Sequence, residues 1–287
     1  MPDPSVPARF VFGTVGSPRS TPGKPGGSVG AVQHSAHLGL FALELGWVQS
    51  VRVTEQTCAA IRQAGAASGV AISVHAPYYI NLNADRVEWP RSRKRLMDAA
   101  RYGALAGASD IVFHPGSYFG QAPETVRRIA LPRLAACLDE LRRQRTQVRL
   151  RLETMGKPAM LGSLEDVLEM SRSLPGVEPC LDFAHLHARS GDGTMNTYEE
   201  WSTLLTAYRQ ALGADALQRL HIHCSGIEYG ARGERKHLPL IASDLDLVQL
   251  FRALVDHGCA GRILCESPVM EEDALLMKAA WEHLSAH

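Results

Sequence analysis

Seven short segments of this chain run into a side chain able to bind a metal ion: SVHAPYYINL (His75), IVFHPG (His114), LRLETMG (Glu153), PCLDFAHLHA (Asp182, His185), LHIHCSG (His223), KHLPL (His237) and ILCESP (Glu266). In most of them a run of Val, Ile or Leu leads straight into the histidine, aspartate or glutamate. One histidine at a strand end is ordinarily a hydrogen-bonded rim group. Seven, drawn from spaced parts of the chain, call for a fold in which strand ends converge. A donor set of imidazoles and carboxylates without cysteine suits Zn²⁺, Mn²⁺ or Fe²⁺ in a catalytic rather than a structural site.

Between these segments the pattern alternates between short apolar strands and amphipathic helices. Strands are predicted at Phe10–Thr14, Ala42–Leu45, Ala71–His75, Asp110–His114, Arg149–Glu153, Glu178–Asp182, Arg219–His223 and Arg262–Glu266. Helices are predicted at Thr54–Ser68, Ser92–Ala106, Pro123–Arg143, Ser163–Ser173, Tyr198–Leu212 and Leu245–His257. Thr54 and Ser163 have the chemistry of helix starts. Gly69, Gly107 and Gly258 stand where left-handed caps are expected. Eight strands alternating with helices predict a single (β/α)8 TIM barrel spanning residues 1–287, with a metal site at the C-terminal strand ends. A doubly wound sheet is the alternative, but no glycine-rich phosphate fingerprint follows the first strand. The stretch Gly16–Gly30, rich in Pro, Gly and Ser, is expected to be a loop at the barrel mouth.

Hydrophobic residues make up 45% of the chain and charged residues 21%, ordinary for a soluble protein. No apolar run approaches the roughly 20 residues of a membrane span. MPDPSVPARF at the amino terminus has no apolar signal core, so a cytoplasmic location is expected. The six cysteines form no CxxC pair, and Cys180, Cys224 and Cys265 read as small buried strand residues. Formal net charge is zero, so attraction to phosphate must be local.

The motifs HAPYYINL, FHPGS, ETMG, LDFAHLHA, HCSGIEYG, ERKHLPL and ESP resemble, in order, those of the endonuclease IV family of zinc-dependent apurinic/apyrimidinic endonucleases, from about strand three to strand eight. That resemblance implies a (β/α)8 barrel with two or three Zn²⁺ ions per chain. His75 and His114 match ligands of a first ion that shares the bridging carboxylate Glu153 with a second. Asp182, His223 and Glu266 match the second ion's remaining ligands, and His185 and His237 match ligands of a third. Residues Cys-Ser-Gly after His223 fit the family motif, which makes His223 the ligand and leaves His221 inside the barrel. The D-x-x-H spacing selects His185 over His187. The chain departs from the family at its third ion, where Arg235 stands in place of an acid. Glu234, one position earlier, either reaches that ion or pairs with Arg235 or Lys236 at the surface.

The same resemblance implies double-stranded DNA containing abasic sites as the substrate. Cleavage falls 5′ to the abasic sugar, with Glu153 and Glu266 in catalytic positions. Tyr78, Tyr79 and Asn81 match the loop that supports the extruded nucleotide, and Arg235 and Lys236 lie in a later loop suited to phosphate. Arg19, Lys24, Arg86, Arg91, Arg93, Lys94, Arg95, Lys157 and Arg232 are further cations near the expected mouth. No membrane or protein partner is expected, and the chain is expected to be a monomer. A metal-dependent sugar isomerase or epimerase on a related barrel is the competing enzyme reading. A metal-binding barrel without catalysis is the third.

Overall fold

A computed structural model describes residues 10–286. The amino-terminal segment read above for a signal core lies, but for Phe10, outside that range. Eight parallel strands close a barrel: β1 (Phe10–Val15), β2 (Ala42–Gly46), β3 (Ala71–His75), β4 (Asp110–Phe113), β5 (Arg149–Glu153), β6 (Val177–Asp182), β7 (Leu220–Cys224) and β10 (Gly261–Cys265), with β1 and β10 sealing the sheet. Between β7 and β10 an antiparallel hairpin, β8 (Gly226–Gly230) and β9 (Gly233–Leu238), stands apart from the barrel. The helices are α1 (Gly27–His37), α2 (Glu55–Ser68), α3 (Trp89–Leu105), α4 (Pro123–Arg143), α5 (Leu164–Ser173), α6 (Phe183–Arg189), α7 (Tyr198–Leu212), α8 (Leu247–Asp256) and α9 (Glu271–Leu284). All eight predicted strands and all six predicted helices are present, with ends displaced by up to three residues. Thr54 and Ser163 cap their helices by accepting from Thr57 N and Asp166 N. Gly69, Gly107 and Gly258 take φ of +66°, +84° and +62°.

Two expectations need correction. Gly16–Gly30 is not loop throughout, because α1 begins at Gly27. His237 does not end a barrel strand: it lies on β9, in the hairpin. Its short apolar neighbourhood mimics a strand end because any half-buried strand carries the same pattern.

Alternation along the strands separates two environments. Outward residues such as Leu43, Ile72, Val74, Ile111, Leu150, Leu152, Leu181, Ile222 and Ile263 are buried under the helices. Inward residues are largely polar, as the run Arg149-Leu150-Arg151-Leu152-Glu153 shows in one strand. At the barrel floor Asp110 accepts from Arg149 Nε at 3.0 Å and Arg151 Nε at 2.7 Å, and pairs with Arg262 at 3.2 Å. Burial favours the neutral acid, yet Arg151, Arg262 and Arg149 hold the Asp110 carboxyl well below the usual range. The floor is therefore plugged by charge, and the mouth is the open end.

Barrel closure leaves no room at Gly13, where an added Cβ would lie 1.9 Å from the carbonyl oxygen of Ala42 on the adjacent strand. Because the obstacle is backbone, Gly13→Ala should destabilise the protein by about 3 kcal/mol or more. A urea midpoint indistinguishable from that of the parent would contradict this packing.

Candidate metal centre

Six barrel strands, β3 to β7 and β10, deliver side chains to one point at the mouth. Glu153, the last residue of β5, is fully buried. One of its oxygens, Oε2, lies 3.0 Å from His75 Nε2 and 3.3 Å from His114 Nε2. The other, Oε1, lies 3.3 Å from His185 Nδ1 and 3.7 Å from His223 Nδ1. Glu266, just past β10, is 3.5 Å from His223 Nδ1 through Oε1 and 3.7 Å from His237 Nε2 through Oε2.

At the mouth, donor atoms fall into adjoining groups, each within 4.8 Å: His75, His114 and Glu153; Glu153, Asp182, His223 and Glu266; Asp182, His185 and His237; a further group deeper in the barrel is Cys180, His221 and His223. Glu153 joins the first two groups and Asp182 the second and third. Asp182 was read from sequence as serving only one.

Local structure explains the D-x-x-H spacing. Asp182 is the N-cap of α6, and its Oδ1 accepts from the backbone N–H of His185 at 2.7 Å. Capping leaves Oδ2 aimed at the site, 3.2 Å from His185 Nδ1. The first-turn histidine is thus placed beside its own cap. Other imidazoles are oriented through their second nitrogen. His75 Nδ1 is 2.9 Å from Ala76 O, His185 Nδ1 2.9 Å from Thr154 O, and His237 Nδ1 2.6 Å from Ser225 Oγ. The two carbonyl partners call for an N–H at Nδ1 and so leave Nε2 of His75 and His185 with a free lone pair, while the Ser225 hydroxyl can donate or accept. His187 is turned away, with Nε2 3.1 Å from Asp244 Oδ1.

The electrostatics fit cations. Glu153 Oε1, Asp182 Oδ2, His223 Nδ1 and Glu234 Oε2 are buried without a hydrogen-bond partner in the protein. Buried polar atoms in such a state are costly unless something else satisfies them. Burial, with Glu266 and Glu153 nearby, pushes Asp182 up to about 6 despite the opposing pull of His185 and His237. Divalent ions would relieve this crowding of carboxylates.

Glu234 is placed by an irregularity in the hairpin. Tyr229 pairs with Glu234 and Glu228 with Lys236, so Arg235 is an extra residue, a β-bulge. The bulge reverses the alternation and brings Glu234 onto the same face as His237, toward α6. Its Oε2 lies 3.5 Å from His185 Nε2. Gly156, which ends the ETMG motif, has no room for a Cβ, since one would lie 2.3 Å from that oxygen. Arg235 and Lys236 are exposed and pair with Glu228 at 3.3 and 3.2 Å. Neither contacts the donor groups.

The mouth loops divide the residues expected at DNA. Tyr78 stacks on His114, with ring centroids 4.9 Å apart, and stays 50% exposed; Tyr79 is 63% exposed. Asn81 is half-buried, and its Oδ1 accepts from Asn83 N at 2.8 Å, inside its own loop. Arg91, Arg93, Lys94 and Arg95 are ion-paired with Glu88, Glu140, Asp98 and Glu88. Lys157 lies 3.5 Å from Glu234, and Arg86 and Arg232 are exposed. One buried acid, Glu44 on β2, was not singled out from sequence. A glutamate in the middle of the apolar strand ALELG was the available signal.

Residues 32–287 match the sequence family described as xylose isomerase-like TIM barrel, and the chain belongs to that family. It is 35% identical to the uncharacterized protein MJ0133 of Methanocaldococcus jannaschii, over 96% of this chain and 98% of the relative. It is 28% identical to the probable endonuclease 4 of Oceanobacillus iheyensis, over 77% of this chain and 76% of the relative. The structure aligns with endonuclease IV from Thermus thermophilus at a TM-score of 0.71 and 25% identity, covering 96% and 99% of the two chains. The endonuclease IV resemblance read from the motifs is borne out, and these relatives support a catalytic role. Among the described residues no helix is long and apolar enough to cross a membrane.

Two outcomes follow for metal content. Because Glu153 belongs to two donor groups, Glu153→Ala should lower elemental content by two ions per chain and His75→Ala by one. A full complement in Glu153→Ala would separate the groups. Glu234→Gln should lower only the ion held by His185 and His237, by about ten-fold in affinity or more. Anomalous scattering that shows that ion undisturbed would return Glu234 to the rim.

Proposed function

We propose that the protein is a cytoplasmic, metal-dependent phosphodiesterase that cuts double-stranded DNA 5′ to abasic sites, leaving a 3′-hydroxyl. The observation that carries this reading is Glu153, which joins two donor groups at the mouth of a barrel similar to endonuclease IV. His75, His114 and Glu153 would hold a first ion, and Glu153, Asp182, His223 and Glu266 a second. Asp182, His185 and His237 would hold a third, with Glu234 beside them. Zn²⁺ suits this donor set best, and Mn²⁺ or Fe²⁺ suit it too. When bound, the ions supply Lewis acidity that offsets negative charge on the phosphate oxygens.

The chain's own residues do the rest. Of the carboxylates around the second ion, Glu266 is the one that keeps some solvent access, with 12% of its side chain exposed against none for Glu153 and Asp182. It is placed to orient an attacking water and take up its proton. Tyr78, stacked on His114, forms the wall of the site. Tyr79, exposed beside it with the Arg95 guanidinium 5.7 Å from its ring centre, would stack its open face on the bases flanking an abasic gap, where little unstacking has to be offset. Arg86 and Arg232 are exposed for phosphate contact; Arg235 and Lys236 would have to exchange Glu228 for phosphate first. Binding should therefore weaken steeply with salt. All these groups come from one chain, so a monomer suffices.

The family description also leaves room for a sugar isomerase or epimerase. An assay that sets a duplex carrying a tetrahydrofuran abasic analogue against ketose–aldose and epimer interconversion separates the two. Cleavage 5′ to the analogue, with two or more ions per chain, is expected. Sugar interconversion with one ion and an intact duplex would overturn the proposal. Tyr79→Ala should lower kcat/KM on the abasic duplex about ten-fold or more, with metal content unchanged and a smaller loss on single-stranded substrate. Equal losses on both substrates would restrict Tyr79 to packing its loop.

A further inference from the structure

Beneath the donor groups lies a buried acid with no part in the scheme above. Glu44 points inward from β2 and is fully buried. Its Oε2 accepts from Ser73 Oγ at 2.7 Å and from His221 Nε2 at 2.9 Å. Its Oε1 has no hydrogen-bond partner of its own and lies 3.0 Å from His223 Nε2, off the axis of a straight N–H bond. The opposite ring atom, His223 Nδ1, is the one that faces Glu153 and Glu266. One imidazole therefore stands between a buried carboxylate below and the donor groups above.

We propose that Glu44 is a positioning residue for the metal centre: with Ser73 and His221 behind it, it holds His223 so that Nδ1 is presented to the second ion. Several observations converge on this role. A carboxylate at Nε2 stabilises the tautomer with its proton on that nitrogen, leaving the Nδ1 lone pair free. It also makes the imidazole a stronger donor, as carboxylate partners do for metal-bound histidines. No lysine or arginine contacts Glu44 among the described residues, so the charge is not there to complete an ion pair with a fixed cation. Burying an anion in this way is expensive for the fold alone, and an apolar residue would fill β2 at lower cost. Ser73 and His221 both donate to Oε2, and this fixes the carboxylate plane and turns Oε1 toward His223. A neutral glutamine would match the shape. It could not accept from both partners and also set a negative oxygen against His223 Nε2, because one of its two ends is a donor.

The inference rests on the metal-centre part of the proposed function and not on the nature of the substrate. The test uses the full chain loaded with Zn²⁺, or with Co²⁺ as a spectroscopic probe. Glu44→Gln should weaken one ion per chain by about 10- to 100-fold in competition with a chromophoric chelator. The Co²⁺ ligand-field bands of that ion should shift, while the ion at His75 and His114 keeps its affinity. The thermal midpoint of the metal-free protein should not fall, which separates positioning from general support of the fold. Ser73→Ala, the milder change, should weaken the same ion to a smaller degree and decides the matter if Glu44→Gln does not fold.

Unchanged affinities in both variants would overturn the proposal, as would an equal loss of every ion with a lower metal-free midpoint. So would an additional ion found against Cys180 and His221 and removed by Cys180→Ser, since Glu44 would then belong to a ligand set. A parent protein inactive on abasic duplex would sink the nuclease reading and leave this one standing, because its readout is metal affinity.

Discussion

The carboxylate of Glu153 is withdrawn from water at the point where six strands end, and the surrounding architecture follows from what a buried carboxylate requires. Burial favours its neutral form, yet the imidazoles of His114, His185 and His223 around it hold its carboxyl well below the usual range. Those rings are fixed in turn. Asp182 caps α6 and places His185, while main-chain carbonyls orient His75 and His185. Each anchor is rigid because it is built on a strand end or a helix start. Side chains distant in sequence are thereby held within reach of common ions.

Polarity reaches deeper than the mouth. The barrel interior carries Glu44, Ser73, Arg151, His221 and Arg262, and the apolar core lies outside it, between strands and helices. A barrel lined with Val and Leu would be cheaper to fold. This one has an arginine–aspartate plug at the floor and a carboxylate–histidine layer above it. Charge in that layer sits close enough to the donor groups to influence what they hold.

The hairpin shows how a departure in sequence is absorbed by geometry. Counting along the chain puts Arg235 where an acid is expected beside His237. The bulge at Arg235 removes one residue from the alternation, so Glu234 faces the site and Arg235 faces water. Arg235 itself is paired with Glu228, away from the third donor group. The same hairpin rests on α6 through Ile227, which packs against Ala184 and Ala188. Glu234 and His237 are therefore packed in one unit with His185.

Much of this was legible in the residues themselves. Strand period, helix caps and the order of strand-end ligands pointed to the barrel and to the members of the centre. These signals are local: alternation, an N-cap hydroxyl and an apolar run ending in a donor are set by neighbours in the chain. Other features were not legible, because they depend on contacts across the barrel. The pairing of Glu44 with His221 joins residues 177 positions apart. That Tyr78 meets His114 while Tyr79 does not depends on where the β3 loop lies. The facing of Glu234 depends on strand pairing inside a hairpin that sequence had presented as a strand end. By itself the chain determined which groups were available and that strand ends would gather them. Only closure of the barrel, which fixes distance and direction between remote backbones, decided which nitrogen, which oxygen and which face each group would offer.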